Sequence, residues 1–314
     1  MAKAIVFPAK GIGDAILMMI ASHNLFLSGF EVMTYHPSLK ELQAWFPHHF
    51  FSSISREELP VSLLTEADLI VLENDNTPFS HKLIQLRKDK ILPHLSVFYP
   101  SYSGMKHAPL GALDQIFESN ISMADNLSIS IARLLKHPLS SKNNGLTPPP
   151  FLCHRKEKNR VLIHPTSSQK HKNWLASKFL SIATMLKEEN YEVVFTVSPH
   201  EQNEWKHLVQ DRFELPYFST LSDLAEYIYE SGYMIGNDSL MGHLASNLNI
   251  PTLIISNNGK RMKLWRPGWL KGEILTPPSF IPNWKWMRLR EKYWQKYIPV
   301  SSALKSFYKL SRSF

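Results

Sequence analysis

One cysteine, Cys153, stands in 314 residues. A single thiol can neither close an intramolecular disulfide nor build a cysteine-based zinc site, which suits a reducing compartment and makes the cytoplasm the expected location. Apolar runs are short as well. Stretches such as Ala15 to Ala21 fall far below the roughly 20 residues needed to cross a bilayer, so membrane contact is expected to be peripheral only. In the opening MAKAIVFPAKGIGDAILMMI, polar and glycine residues between positions 8 and 14 interrupt the apolar core that a signal peptide needs. Short-period repeats and low-complexity tracts are missing, and so are a GxGxxG fingerprint, a Walker loop and an HExxH-like spacing of metal ligands. No metal and no resident cofactor are expected.

What is there is globular. Hydrophobic residues make up 44%, aromatics 11% and charged residues 20%, which argues against a disordered, collagenous or coiled-coil chain. The length is about twice that of a usual domain, so two domains are expected. The net charge of +8 is uneven: residues 1–150 hold 12 Lys and Arg against 13 Asp and Glu, and residues 151–314 hold 23 against 14. The second half should therefore meet an anion, of which nucleic acid, a phosphorylated small molecule and an anionic membrane surface are the kinds to weigh. No recognised nucleic-acid motif is present, and no nucleic-acid partner is expected.

Strand and helix patterns alternate. In the first half, Ala4 to Pro8, Glu31 to Tyr35, Asp68 to Leu72 and Leu95 to Tyr99 read as buried strands, with helices over Ala15 to Leu27, Pro37 to Trp45 and Met123 to Leu135. Residues 137–159, polar and broken by three consecutive prolines, read as a linker. The rhythm then restarts. Strands are predicted over Arg160 to His164, Tyr191 to Val197, Tyr233 to Ile235 and Thr252 to Ile255, and helices over Ser177 to Glu188, His200 to Val209, Leu221 to Glu230 and Gly242 to Leu248. A basic helix over Met287 to Tyr297 and a last helix over Ser301 to Leu310, packed across the domain junction, complete the expectation. The fold class is α/β: two Rossmann-like domains, 1–150 and 151–314, facing each other across a cleft lined by the carboxyl ends of their strands.

Three strand-to-helix turns carry chemistry. The first is Lys10-Gly11-Ile12-Gly13-Asp14, where glycines permit a tight turn and an acid sits at the helix start, either as a catalytic group or as a helix cap. In the second, His164-Pro165-Thr166-Ser167-Ser168-Gln169-Lys170-His171-Lys172-Asn173-Trp174, hydroxyls and lysines suit phosphate oxygens, although a solvated turn has the same composition. The third, Asn237-Asp238-Ser239-Leu240-Met241-Gly242-His243, opens a helix whose amides and dipole favour a diphosphate, with Asp238 and Ser239 alternatively serving as caps.

In this order the motifs resemble those of the bacterial heptosyltransferases, the family nine glycosyltransferases of lipopolysaccharide core assembly. The likeness runs over roughly residues 4–270 and includes LSDLAEYIYESGYMIGNDS and the following Ile250-Pro251-Thr252. It implies a GT-B architecture, an inverting and metal-independent transfer of heptose from ADP-heptose, and an anionic Kdo-containing lipid A acceptor held at the cytoplasmic face of the inner membrane. By the same resemblance Asp14 is the general base, with Gly13 beside it on the acceptor side. Ser167, Ser168 and Lys172 hold the donor phosphates, Glu201 the ribose, and Asp238, Ser239, Gly242 and His243 the remainder of the donor. Lys106 is assigned to the acceptor, and a monomer is expected. The family glycine after Asp-Ser/Thr is Leu240 here, with a glycine two places on at 242. Two other readings follow from that departure and from the basic charge: a transferase using another nucleotide sugar or acceptor, and a non-catalytic nucleotide-sugar-binding protein. Lys260, Arg261, Lys263 and Arg266, with Trp265 and Trp269, either face the anionic membrane surface or line the donor site.

Overall fold

A computed structural model of the chain describes residues 1–314 apart from Ser53 and Lys285. It divides into two units, Met1–Thr147 and Pro148–Phe314. The first holds strands β1 (Ala2–Phe7), β2 (Phe30–Thr34), β3 (Phe50–Phe51), β4 (Leu69–Glu73), β5 (Leu95–Tyr99) and β6 (Gln115–Ile116), with helices α1 (Ile12–Leu27), α2 (Val61–Thr65), α3 (Pro78–Lys88) and α4 (Met123–Leu135). The strand order is β3-β2-β1-β4-β5-β6, every pair parallel. Parallel sheets are covered on both faces, and β4 (LIVLE) and β5 (LSVFY) are accordingly buried along their whole length. Helix α1 is apolar on every side. Ala15 through His23 and Leu25 are all buried, because the helix lies against β2 on one side and α4 on the other.

The second unit holds β7 (Glu157–His164), β8 (Glu192–Phe195), β9 (Ser231–Asn237), β10 (Thr252–Ile255) and β11 (Glu273–Leu275). They form a parallel sheet in the order β11-β10-β9-β7-β8. Its helices are α5 (Ala176–Glu188), α6 (Gln202–Val209), α7 (Leu221–Tyr229), α8 (Leu240–Asn247), α9 (Gly259–Trp265), α10 (Leu289–Lys292) and α11 (Val300–Ser311). Both units show the alternating βα order read from the sequence, and both topologies place loop-borne functional groups at the carboxyl ends of the strands.

Three expectations are corrected. Pro37–Trp45 is a 3₁₀ segment kinked at Leu42 instead of an α-helix, since its buried residues Leu39, Leu42 and Trp45 recur every third position and a three-residue period puts them on one face. The expected basic helix at Met287 to Tyr297 shrinks to the single turn α10: Arg288 at its N-cap is left-handed (φ 39°), and Tyr293 at its C-cap leaves helical geometry (φ −120°, ψ 22°). Residues 137–159 are no free linker. The Asn144 side chain donates to the Ile16 carbonyl at 3.2 Å and the Thr147 amide to the Trp45 carbonyl at 2.8 Å, while the Arg155 amide donates to the Tyr229 carbonyl at 2.9 Å. The chain is thus strapped to one unit and then to the next. The buried face of α11, Ala303, Leu304, Phe307 and Leu310, belongs to the core of the second unit, with Ile182, Leu186 and Tyr233.

Candidate functional site

Strands β1 and β4 run in register, Phe7 beside Leu72, so their carboxyl ends lie together. Here side chains from three separate segments bind three consecutive residues of the loop after β1. Arg56 donates Nη1 to the Pro8 carbonyl at 2.7 Å, Oε2 of Glu73 accepts the Ala9 amide at 3.0 Å, and His36 Nε2 lies 3.2 Å from the Lys10 carbonyl. A carbonyl only accepts, so the His36 proton sits on Nε2 and Nδ1 is left as a buried atom without a hydrogen-bond partner among the described residues. Arg56 also donates Nη2 to Asp75 at 2.6 Å. Gly11 is the N-cap of α1, and Asp14, half-buried, stands in the first turn instead of serving as the cap. The Asp14 carboxylate folds so closely over Gly11 that a Cβ there would collide with Oδ2, which gives the glycine a steric reason.

Burial, and then the charge of Asp14, push the Glu73 carboxyl well above the usual carboxylate range; Asp75 adds to this, and the Ala9 amide and Arg56 oppose it. Gly13 is half-buried beside Asp14. Lys106 lies apart from this cluster in sequence, exposed on a turn where its amide donates to the Ser103 carbonyl at 3.0 Å.

In the second unit, β7, β8 and β9 end beside one another. His164 closes β7, its Nδ1 donating to the Thr196 carbonyl at 2.8 Å, and burial pushes its pKa down to about 4, so the ring is a neutral structural group. The loop that follows is held at both ends. The Thr166 hydroxyl donates to Glu201 at 3.0 Å, and the Trp174 amide to Oδ1 of Asn237 at 2.9 Å, while the Asn237 side-chain amide donates to the Pro165 carbonyl at 2.7 Å. Between these anchors Ser167 donates to Oδ1 of Asn173 at 2.6 Å, Ser168 is exposed, and Lys172 ends a 3₁₀ turn, half-buried. Glu201 also accepts the Ser198 amide at 3.2 Å and the Ser198 hydroxyl, which pins it near Thr166 at the edge of the loop.

Helix α8 starts at the end of β9. Its N-cap, Ser239, is extended, and both the Ser239 hydroxyl and Nδ1 of His243 are buried without a partner among the described residues. Buried polar groups are nearly always hydrogen-bonded, so two at one helix N-terminus mark it as a place for a polar ligand. Oδ2 of Asp238 is 3.4 Å from Nε of Arg261, whose guanidinium lies 4.9 Å from the Trp265 ring. Arg261 thus lies at the β9–α8 turn, beside Asp238. Gly242, in the first turn of α8, is closely packed. A Cβ there would meet Ile254 Cδ1 at 2.6 Å and Pro267 Cγ at 3.2 Å, so the glycine also lets α8 pack closely on β10.

Structure thus gathers Ser167, Ser168, Lys172 and Glu201 on one loop system, and Asp238, Ser239 and His243 beside it. It adds Glu73, Arg56 and His36 around the Asp14 loop, and Asn237 and Arg261 around the loop after β7 and the β9–α8 turn. An acid ending the apolar run DLIVLE was a signal for Glu73; Arg56 and His36 carry none, because only the sheet brings them to the loop. The buttress from the C-terminal segment was equally silent: Trp294 Nε1 donates to the His171 carbonyl at 3.1 Å and Gln295 to the Asn173 carbonyl at 3.1 Å.

Residues 124–266 match the family model of glycosyltransferase family 9 (heptosyltransferase). No curated protein sequence matches the chain. Among solved structures it resembles E. coli ADP-heptose lps heptosyltransferase II, with a TM-score of 0.71 at 14% identity and 99% of each chain covered. A family 9 glycosyl transferase from Veillonella parvula gives 0.69 at 15%, covering 100% of this chain and 98% of the other. E. coli heptosyltransferase WaaC with ADP gives 0.65 at 11%, covering 98% and 99%. At these identities the structural likeness establishes the fold, two parallel-sheet α/β units of the heptosyltransferase kind.

Proposed function

Because residues 124–266 match the glycosyltransferase family 9 model, we propose that this chain is an enzyme of that family and transfers heptose from ADP-heptose to a Kdo-bearing lipid A acceptor by a single inverting displacement. The observation that carries this reading is the start of α8, where the unpartnered Ser239 hydroxyl and His243 Nδ1 adjoin the clamped, hydroxyl- and lysine-bearing loop of residues 164–174. That combination suits a diphosphate. Backbone amides and the helix dipole at Ser239 meet its negative charge, with Ser167, Ser168 and Lys172 supplying further donors. Glu201, fixed by Thr166 and Ser198, is the group for the ribose hydroxyls.

Asp14 serves as the base. It removes the proton from an acceptor hydroxyl as that oxygen attacks the anomeric carbon, and the bond from that carbon to the diphosphate oxygen breaks as ADP leaves. Charge grows on the departing diphosphate, and Lys172 with the α8 N-terminus stabilises it. The mechanism asks for no metal, the cation and dipole filling that role. Lys106, exposed after β5, meets an acidic group of the acceptor. No described helix is long and apolar enough to cross a membrane, and the proposal places the enzyme at the cytoplasmic face of the inner membrane as a peripheral protein. One copy of the chain supplies every group named, so a monomer suffices.

The test is transfer of heptose from ADP-heptose to a Kdo-lipid A acceptor, followed by mass spectrometry of the product. Leu240 supports a second reading. It is the first residue of α8, where the resemblance places glycine, and a side chain there suits a different nucleotide sugar. Wild-type turnover with another donor but none with ADP-heptose would select that reading.

A further inference from the structure

The loop that presents Asp14 is gripped by buried side chains, and one of these is itself an acid. Glu73 is 1% exposed and accepts the Ala9 amide at 3.0 Å. Asp14 from α1, Asp75 from the loop after β4 and Arg56 from the 3₁₀ turn Arg56–Glu58 act on it electrostatically, Glu57 of that turn pairs with Arg56, and His36 from the loop after β2 holds the same loop at Lys10. Lys10 of the same loop is exposed. Burial holds the His36 ring below its ordinary pKa, hence neutral, which leaves Arg56 as the buried cation of the group. Its guanidinium is already engaged by Asp75 at 2.6 Å, Glu57 at 3.4 Å and the Pro8 carbonyl at 2.7 Å. An ionised Glu73 would be one more carboxylate on a cation that is spoken for, out of reach of water. Two coupled carboxyls in such a place hold one negative charge between them. That charge belongs on the half-exposed member, Asp14.

We propose that Glu73 is a positioning residue of the transfer reaction: through the Ala9 amide it fixes the loop that carries Asp14, and it does so as an uncharged carboxylic acid. The neutral acid keeps an oxygen for the Ala9 amide and places no second charge beside the base. A charged base next to a neutral acid in a drier setting is the arrangement by which paired carboxyls divide their roles. The proposal rests on the reading of Asp14 as the base.

The test compares wild type, Glu73→Gln, Glu73→Ala and Asp14→Asn in the full chain. With ¹³C-labelled glutamate, the carboxyl signal absent from the Glu73→Gln spectrum should keep the protonated position from about pH 5 to 8, where ordinary glutamates are ionised. Glu73→Gln retains an acceptor for the Ala9 amide, so amide exchange over residues 8–14 and kcat should stay within about threefold of wild type, with the acid limb of the pH profile unmoved. Glu73→Ala should exchange about tenfold faster over that segment and lose about tenfold or more in kcat, with ADP affinity unchanged. An ionised Glu73 signal at pH 7 overturns the proposal. So does a Glu73→Gln variant as impaired as Glu73→Ala, or a Glu73→Ala variant with wild-type exchange and kcat. If Glu73→Ala does not fold, the carboxyl signal and the glutamine variant still decide. Transfer by Asp14→Asn at the wild-type rate would overturn the reading of the base alone, while the signal and exchange results report on Glu73 independently.

Discussion

The amide of Trp174 donates to Oδ1 of Asn237 at 2.9 Å, fastening the far end of the loop after β7 to the last residue of β9. Asn237 is fully buried, and its own amide group holds the near end of the same loop at Pro165. One side chain therefore sets the span of the segment that carries Ser167, Ser168 and Lys172.

Replacing Asn237 by alanine strands a buried amide and a buried carbonyl, each costing about 1 to 3 kcal/mol. A lower melting temperature and a weaker titration by ADP are the expected results. Unchanged ADP affinity in the folded variant would show that the clamp does not shape the donor loop.

Asp14→Asn is expected to lower heptose transfer by about 10² to 10⁴, the usual worth of a general base. ADP affinity, read by calorimetry, should stay within a few-fold because the base acts on the acceptor. Near-normal turnover would leave Asp14 without a chemical role.

Lys172→Ala should weaken donor binding by the worth of a charge-assisted hydrogen bond, about 1.5 to 3 kcal/mol, and lower turnover with it. Excess EDTA should change neither. A reaction stopped by the chelator and restored by magnesium would rule out the metal-free mechanism.

Leu240→Gly removes a Cβ at the first position of α8, at a helix cost of about 1 kcal/mol. If its side chain points away from the diphosphate, ADP-heptose should bind as before or slightly tighter. A change of preferred donor, measured with ADP-, GDP- and UDP-sugars side by side, would assign Leu240 to donor selection.

His49 yields a prediction about pH. Its Nε2 lies 3.0 Å from Nδ1 of His23, and burial, then the charges of His23 and His48, push its pKa down to about 4. An unfolded chain takes up this proton near pH 6.5, the folded chain only near 4. The unfolded state therefore binds more protons in between, and the stability this group confers is complete above about pH 6.5 and falls as pH drops toward 4, by up to about 3 kcal/mol. Urea unfolding of wild type and His49→Gln at pH 7 and pH 5 measures it; a wild-type loss no greater than the variant's would refute the assignment.

Much of this was legible in one dimension because local pattern is enough for it. A fully buried parallel strand is apolar at nearly every position, so LIVL and LSVFY announce themselves, and the glycine-acid pattern after the first strand marks the turn into α1. The boundaries of α4 and β5 coincide with those read from the sequence because their caps and buried runs are contiguous. Basic composition misled at Met287 to Tyr297, where the backbone is used for its carbonyls: those of Gln295 and, just beyond the segment, Ile298 accept from Lys178 at 2.6 and 2.7 Å.

By itself, then, the order of residues determined the α/β class, the two-unit division and the three turns that bear Asp14, Lys172 and Ser239. Periodicity and turn chemistry are properties of neighbouring residues, and no folding is needed to see them. Only the tertiary structure decided that Glu73, Arg56 and His36 hold consecutive backbone groups of one loop, that Asn237 spans another, and that Gly242 is small because Ile254 and Pro267 press on it. Such roles come from strand order and register, which bring residues dozens of positions apart within hydrogen-bond reach, and from packing, in which a missing Cβ has meaning only once its neighbours are in place.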